Sequence, residues 1–286
     1  MDINQCVLMM KNEIELSIRT ATNGGTEYTN GSKAKESLIR SGRLIGYLHE
    51  CIKHELVRNN VNSNNIFPPI GDSRPELKVT GFLKQKKQDV AVVPSNIEKE
   101  AIVVDWGPLA DEGVRDNLGL EYTSNCLIIN VRSQLSSLAK NTDTLFERTF
   151  AEALNLHAVY KRIVLGEVYI IPVYEYNEAE ARNNRVAFSP KKTNLKKYIS
   201  FFTAISGRAD VEVDEFKYER CALLIVDFSR EIPKIYSSTD ELKADGLVDA
   251  DFGLELADIS FNSFANDILN IYGARFDLAN IVITEN

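Results

Sequence analysis

Histidine and tryptophan are scarce in this chain, with three His and one Trp in 286 residues. With only His49, His54 and His157 to draw on, a histidine-rich metal centre is not expected. Cys6, Cys51, Cys126 and Cys221 lie far apart and lack the C-x-x-C spacing of a zinc knuckle or a redox pair, so they read as free buried thiols. No apolar run approaches the roughly 20 residues that a membrane span needs. The first residues, MDINQCVLMMKNEIELS, contain acids and no small-residue cleavage site, so they do not read as a secretory signal. A soluble protein of the cytoplasm is therefore expected, with no membrane partner. Several motifs are also missing: the G-x-x-x-x-G-K-[ST] phosphate loop, the G-x-S-x-G elbow, H-E-x-x-H, and a G-x-G-x-x-G turn after a strand. Their absence sets aside the common nucleotide-binding, serine-hydrolase and zinc-protease chemistries.

What is present suits a sizeable core, since 44% of the residues are hydrophobic. The net charge of -8 argues against a protein that coats nucleic acid non-specifically, because phosphates are neutralised by a surplus of Lys and Arg. The charge is nevertheless uneven. Lys84, Lys86 and Lys87 form one basic cluster, Lys191, Lys192, Lys196 and Lys197 another, and residues 210–286 are acidic. Local patches of this kind can hold a polyanion, although a solvated surface gives the same pattern.

The polar, glycine-rich loop 21–32 precedes a predicted helix over 33–58, whose apolar face carries Leu38, Ile45, Leu48, Ile52 and Leu56. Glu55 falls on that face, where a carboxylate is costly unless paired, hydrogen-bonded or bound to a cation. After a loop, ELKVTGFLK and DVAVVP read as a hairpin, with Asp89 opening its second arm. AIVVDWG reads as a further strand ending near Asp105, and 126–132 as the next. Residues 143–160 have helical spacing, and Thr144-Leu145-Phe146-Glu147 fits a capping box at the start of that helix. VLGEVYIIPVYEY is a strand, 193–205 a helix, CALLIVDF another strand, and FNSFANDILNIYG a closing helix with Gly273 as its stop signal. Strands that alternate with helices make an α/β protein with a mixed sheet. No repeat or low-complexity linker divides it, so one domain over 1–286 is expected, with its core at about 33–176 and C-terminal additions at 177–286.

The stretch LIINVRSQ is the most informative. A run of branched apolar residues stops abruptly on Asn130, Arg132, Ser133 and Gln134. Alternate strand residues share a face, so Asn130 and Arg132 project together. An acid at the start of one strand and polar groups at the end of the next suit metal-assisted phosphodiester hydrolysis. There carboxylates hold Mg²⁺ and a cation stabilises the crowded phosphate.

On these residues the chain resembles the PD-(D/E)xK nuclease superfamily, and within it the type II restriction endonucleases. VRSQLSSLAKNTDTLFERTFAEA is similar to their segment in which Lys-Ser-Gln is followed by an Asn-bearing loop and a helix with Arg-Thr and Glu-Ala. Arg132, Ser133, Gln134, Asn141, Arg148, Thr149, Glu152 and Ala153 occupy those places. The resemblance covers about residues 33–176. It implies a restriction-endonuclease-like mixed sheet flanked by helices, and sequence-specific, Mg²⁺-dependent cleavage of double-stranded DNA by a homodimer. Asp89 would be the metal-binding acid, with Asp105 the alternative, and Glu55 the accessory acid. The family's Glu-x-Lys is replaced by Asn130-Val131-Arg132. Asn130 is the weaker metal ligand, and Arg132 can brace a phosphate but cannot act as a base near neutral pH. Glu147, or else Glu152, would supply a displaced carboxylate. Lys84, Lys86, Lys87, Ser133, Gln134, Lys191 and Lys192 would lie along the DNA. The same departures allow a rival, a nuclease fold that has lost catalysis and binds DNA or a protein partner.

Overall fold

The polar groups of interest hang from a mixed six-stranded sheet. The structure, a computed structural model, describes residues 1–283. Its elements in chain order are three helices, α1 (Ile3–Thr20), α2 (Gly31–Arg40) and α3 (Arg43–Arg58), then strand β1 (Ile66–Phe67). A small hairpin of β2 (Lys78–Thr80) and β3 (Gln85–Lys87) follows, then β4 (Val90–Val92), β5 (Leu127–Ser133), α4 (Leu138–His157) and β6 (Val164–Pro172). The rest comprises β7 (Tyr174–Tyr176), β8 (Phe188–Lys192), α5 (Leu195–Ile205), β9 (Arg220–Asp227), β10 (Lys234–Tyr236) and α6 (Phe264–Arg275).

The sheet order is β10-β9-β6-β5-β4-β1. β5, β6 and β9 run parallel, and β1, β4 and β10 pair antiparallel with their neighbours. From α3 onward the sheet is therefore laid down as helix, three antiparallel strands, helix, and a parallel strand. The parallel step from β5 to β6 needs a crossover, which α4 provides. β6 and β9 are buried at every position, as parallel strands covered on both faces should be. Leu127, Ile129 and Val131 face one core with α1, α3 and α6, while Ile128 faces a second core with α4 and α5. Gly166 permits α6 to approach β6 closely, because a Cβ there would stand 2.6 Å from Ile268 Cδ1 and 2.8 Å from Phe264 Cζ.

Several expectations need correction. The helix expected over 33–58 is two helices, broken at Ser41-Gly42, where Gly42 has φ 78°. DVAVVP does not pair with ELKVTGFLK: β2 pairs with β3, and β4 joins the main sheet between β1 and β5. AIVVDWG contributes only Ile102–Val103, in a separate two-stranded pairing with Arg115–Asp116. α4 begins at Leu138 rather than near residue 144, after Ser137 in a left-handed conformation, so Thr144 and Glu147 are interior helix positions and form no capping box. α6 runs through Gly273 to Arg275. The part after residue 176 is not peripheral, because β9 pairs with β6 along most of its length. Among the described residues no helix is long and apolar enough to cross a membrane.

Candidate active site

The end of β5 places its polar residues by simple alternation. Asn130 and Arg132 continue the face of Ile128, toward the core that α4 covers. In the parallel register with β6, Asn130 stands opposite Glu167. In the antiparallel register with β4, Val90 pairs with Ile129, which brings Asp89, just before β4, beside Asn130. Asp89 Oδ2 accepts the backbone N–H of Val131 at 2.9 Å. Sheet register thus sets Asp89 beside Asn130, and strand alternation puts Asn130 and Arg132 on one face.

The carboxylate from α4 is Glu152. Its Oε2 accepts from Lys86 Nζ at 2.6 Å and also from Arg132. Lys86 Nζ lies 3.3 Å from Asn130 Oδ1, and Arg132 Nε donates to Glu167 Oε1 at 2.8 Å. Two cations and two carboxylates are therefore interleaved around Asn130, and the space between Lys86, Gln88, Asn130, Glu152 and Asn155 holds no water-sized void. Gln88 Oε1, Asn130 Nδ2 and Glu167 Oε2 are buried there without hydrogen-bond partners among the described residues. A buried polar atom without a partner costs about 1–3 kcal/mol.

The electrostatics follow from this pairing. Burial pushes the Glu167 carboxyl up to about 7, against the pull of Arg132. For Glu152 burial acts in the same direction, but Arg132 and Lys86 outweigh it and hold the carboxyl below its ordinary range. Burial would favour loss of the Arg132 proton, yet Glu167 and Glu152 overcome it and raise the pKa. Arg132 is a permanent cation here.

Other expected site residues lie elsewhere. Glu55 pairs with Arg58, whose guanidinium also reaches the carbonyl of Met1 at 2.8 Å. On α3 it is His49 whose titration responds to Asp89, the strongest charge opposing the lowering of its pKa by burial. Glu147 is exposed on α4, and Asp105 is exposed beyond its short strand. Gln134 is buried: its Oε1 accepts from Tyr169 Oη at 2.9 Å and Tyr198 Oη at 2.6 Å, and its Nε2 donates to the carbonyl of Leu138. It ties β5 to the start of α4 and is not available to a ligand. Ser133 is half-buried beside Ile170. Lys84 is exposed at the hairpin turn, and Lys87 lies 3.3 Å from Glu76. Lys191 and Lys192 are exposed on β8, beside a cleft of about 360 Å³ that Lys197, Thr142 and Glu175 also line. Among the described residues no group of three or more His, Cys, Asp or Glu side chains is arranged to hold a metal ion.

A second buried ion cluster lies two residues back along the same strands. Glu219 Oε1 accepts from Arg275 at 2.7 Å and Arg208 at 3.2 Å, Oε2 accepts the N–H of Leu165 at 2.7 Å, and His157 Nε2 stands 3.4 Å away. Sequence reading missed Glu167, Arg208 and Glu219. The signal for Glu167 was present: it is a lone acid in the apolar run VLGEVYIIP.

No protein-family model matches this chain, and neither a curated protein nor a solved structure matches it.

Proposed function

We propose that the protein is a Mg²⁺-dependent endonuclease of double-stranded DNA, built on a restriction-endonuclease-like core. The observation that supports this reading is that sheet register sets Asp89 beside Asn130, while Lys86 links Asn130 to Glu152, within a helix, three-strand, helix, strand unit. Mg²⁺ keeps several waters and commonly takes only one or two carboxylates, so Asp89 and Glu152 suffice in kind, with the Asn130 carbonyl oxygen as a neutral ligand. Glu152 takes the place offered to Glu147, which faces solvent. When bound, the metal would polarise the phosphate and lower the pKa of a water. The protein's own groups orient that phosphate and supply positive charge. Exposed Lys84, Lys191 and Lys192 would follow the DNA backbone, and a two-fold homodimer would suit a palindromic target.

The rival, a catalytically inert nuclease fold that binds DNA or a protein, is favoured by one feature: Arg132 and Lys86 already have carboxylate partners. The test is incubation of high-complexity genomic DNA with the full chain and Mg²⁺ or Mn²⁺, beside Asp89→Ala. Discrete fragments that vanish in the variant support the nuclease. Intact DNA that is still bound supports the inert module, and neither cleavage nor binding sinks both DNA readings.

A further inference from the structure

The loop that joins β2 to β3 carries two large apolar side chains into solvent. Thr80 pairs with Gln85, and the N–H of Gly81 donates to the carbonyl of Lys84 at 3.0 Å, so the chain reverses within residues 81–84. At the turn stand Phe82 and Leu83, 38% and 54% exposed. A single exposed leucine needs no explanation on a protein surface, but the way this one is presented does. Both backbone N–H groups are taken by one buried residue of α4. Phe82 donates to the Asn155 carbonyl and Leu83 to Asn155 Oδ1, each at 2.7 Å. The Trp106 indole N–H donates to the carbonyl of Gly81 at 3.3 Å. Two glycines permit this close docking: a Cβ on Gly81 would collide with the Asn155 side chain, and one on Gly107 would stand 2.5 Å from the carbonyl oxygen of Phe82 and 3.0 Å from its ring. The loop is therefore fixed on α4 with Leu83 at its outer tip. Being held already, it has little conformational freedom left to lose on binding.

The charge around this tip indicates what it meets. Residues 73–88 hold Arg74, Lys78, Lys84, Lys86 and Lys87 against Glu76 alone, on a chain whose net charge is -8. Arg74, Lys78, Lys84 and Lys87 are exposed, whereas Lys86 turns inward to Glu152. A basic collar around a rigid apolar tip is complementary to a nucleic-acid duplex, whose phosphates lie outside and whose apolar base faces lie between them. Leu and Phe are among the side chains that wedge between base steps and unstack them. We propose that Leu83, backed by Phe82, is a wedge that enters a base step of bound DNA and unwinds it there. This rests on the DNA reading above, in its catalytic or its inert form. It gives the hairpin a task separate from the buried Lys86–Glu152 pair, which the tip does not touch through Leu83.

The test relaxes a closed circular plasmid with a metal-independent topoisomerase in the presence of the full chain and Ca²⁺. Unstacking a base step unwinds the duplex, so the plasmid recovered after removal of the protein carries a changed linking number, whatever the target sequence. Wild type, Leu83→Ala, Leu83→Phe and Lys84→Ala are compared at saturating protein, with plasmid binding over a range of salt and thermal unfolding measured for each. Wild type should shift the linking number, and Leu83→Ala should lose most of that shift while keeping the wild-type salt slope and the wild-type unfolding temperature, because its side chain is exposed. Leu83→Phe should keep the shift. Lys84→Ala should lower the salt slope by about one and still shift the linking number at saturation. Three results overturn the wedge while the DNA reading stands: a wild type that binds the plasmid without changing its linking number, a Leu83→Ala variant that changes it as much as wild type, and an equal loss in Lys84→Ala, which would assign the effect to backbone charge. A wild type that binds no DNA removes that reading and the wedge together.

Discussion

Glu167 and Glu219 are both glutamates with no exposed side-chain surface, both on strands or strand edges of one sheet face, and both paired with arginine, yet their acidities move in opposite directions. For Glu219 burial is the largest single influence and pushes its carboxyl up, but His157, Arg275 and the Leu165 amide outweigh it and hold the pKa below its ordinary value. Glu167 has the Arg132 Nε alone on one oxygen and nothing on the other, and burial wins. The difference teaches that, between two equally buried carboxylates, the donors and charges set against burial decide which is a structural tie and which a stressed group. Glu219 is a tie between β6, β9 and the helices behind them. Glu167 is stressed, and it stands beside the residues proposed for catalysis, where perturbed acidity tends to cluster.

The comparison can be broken most forcefully at Glu219. Glu219→Gln leaves the guanidinium of Arg208, fully buried, without its charge partner, and unfolding in urea should show a loss of about 3–5 kcal/mol. A loss under about 1 kcal/mol would mean that the cluster is not a tie at all.

A smaller effect, but a sharper one, is the pH dependence of stability. The folded pKa of Glu167 is raised from 4.5 to about 7, so the folded state holds a proton that the unfolded state releases. The stability this contributes is complete below the unfolded value and is lost as pH rises through about 7. Wild type should therefore lose stability across that window, and Glu167→Gln, which cannot ionise, should flatten the curve there. Glu219 has the opposite sign. Its lowered pKa contributes stability that is present above 4.5 and lost as pH falls through the folded value, so Glu219→Gln, besides its overall loss, should flatten the curve on the acid side. Denaturant midpoints measured across pH for both variants separate the two glutamates, and identical profiles would refute the contrast.

The smallest expected change is at Lys84, which joins neither cluster. Lys84→Ala should alter stability by no more than about 0.5 kcal/mol. If the DNA reading holds, it should lower the salt slope of binding by about one without altering the cleavage rate at saturating DNA. A slower cleavage step would place Lys84 inside the site and undo its separation from Lys86.

Much of this region was legible in the chain because local rules govern it. Leu127 to Ser133 reads as a strand from its residue types, and alternation then puts Asn130 and Arg132 on one face. Asp89 was marked by its place at the mouth of a strand. The misreadings have equally local causes. Periodicity over 33–58 is continuous, so the break at Gly42 could be found only by weighing a single left-handed glycine against an unbroken apolar face. Thr144-Leu145-Phe146-Glu147 satisfies the capping pattern, but α4 had already begun at Leu138, where Gln134 and Glu175 hold its first turn. Glu55 lies on a stripe that a wheel calls apolar, and a nearby Arg58 satisfied it at the helix end. Which of the lysines at 84, 86 and 87 points inward was open to an alternation argument, but only once β3 was known to pair with β2 and not with β4.

The sequence by itself determined the class of fold, the strand that ends in polar residues, and the kinds of side chain available for chemistry, because propensity and periodicity act over a few neighbouring residues. Only the tertiary structure decided that Glu152 rather than Glu147 joins Asn130, that Glu167 crosses from the next strand to Arg132, and that Lys86 reaches in from the hairpin. Those contacts span 20 to 66 positions along the chain. They depend on sheet register and helix packing, where a shift of one residue turns every side chain to the other face.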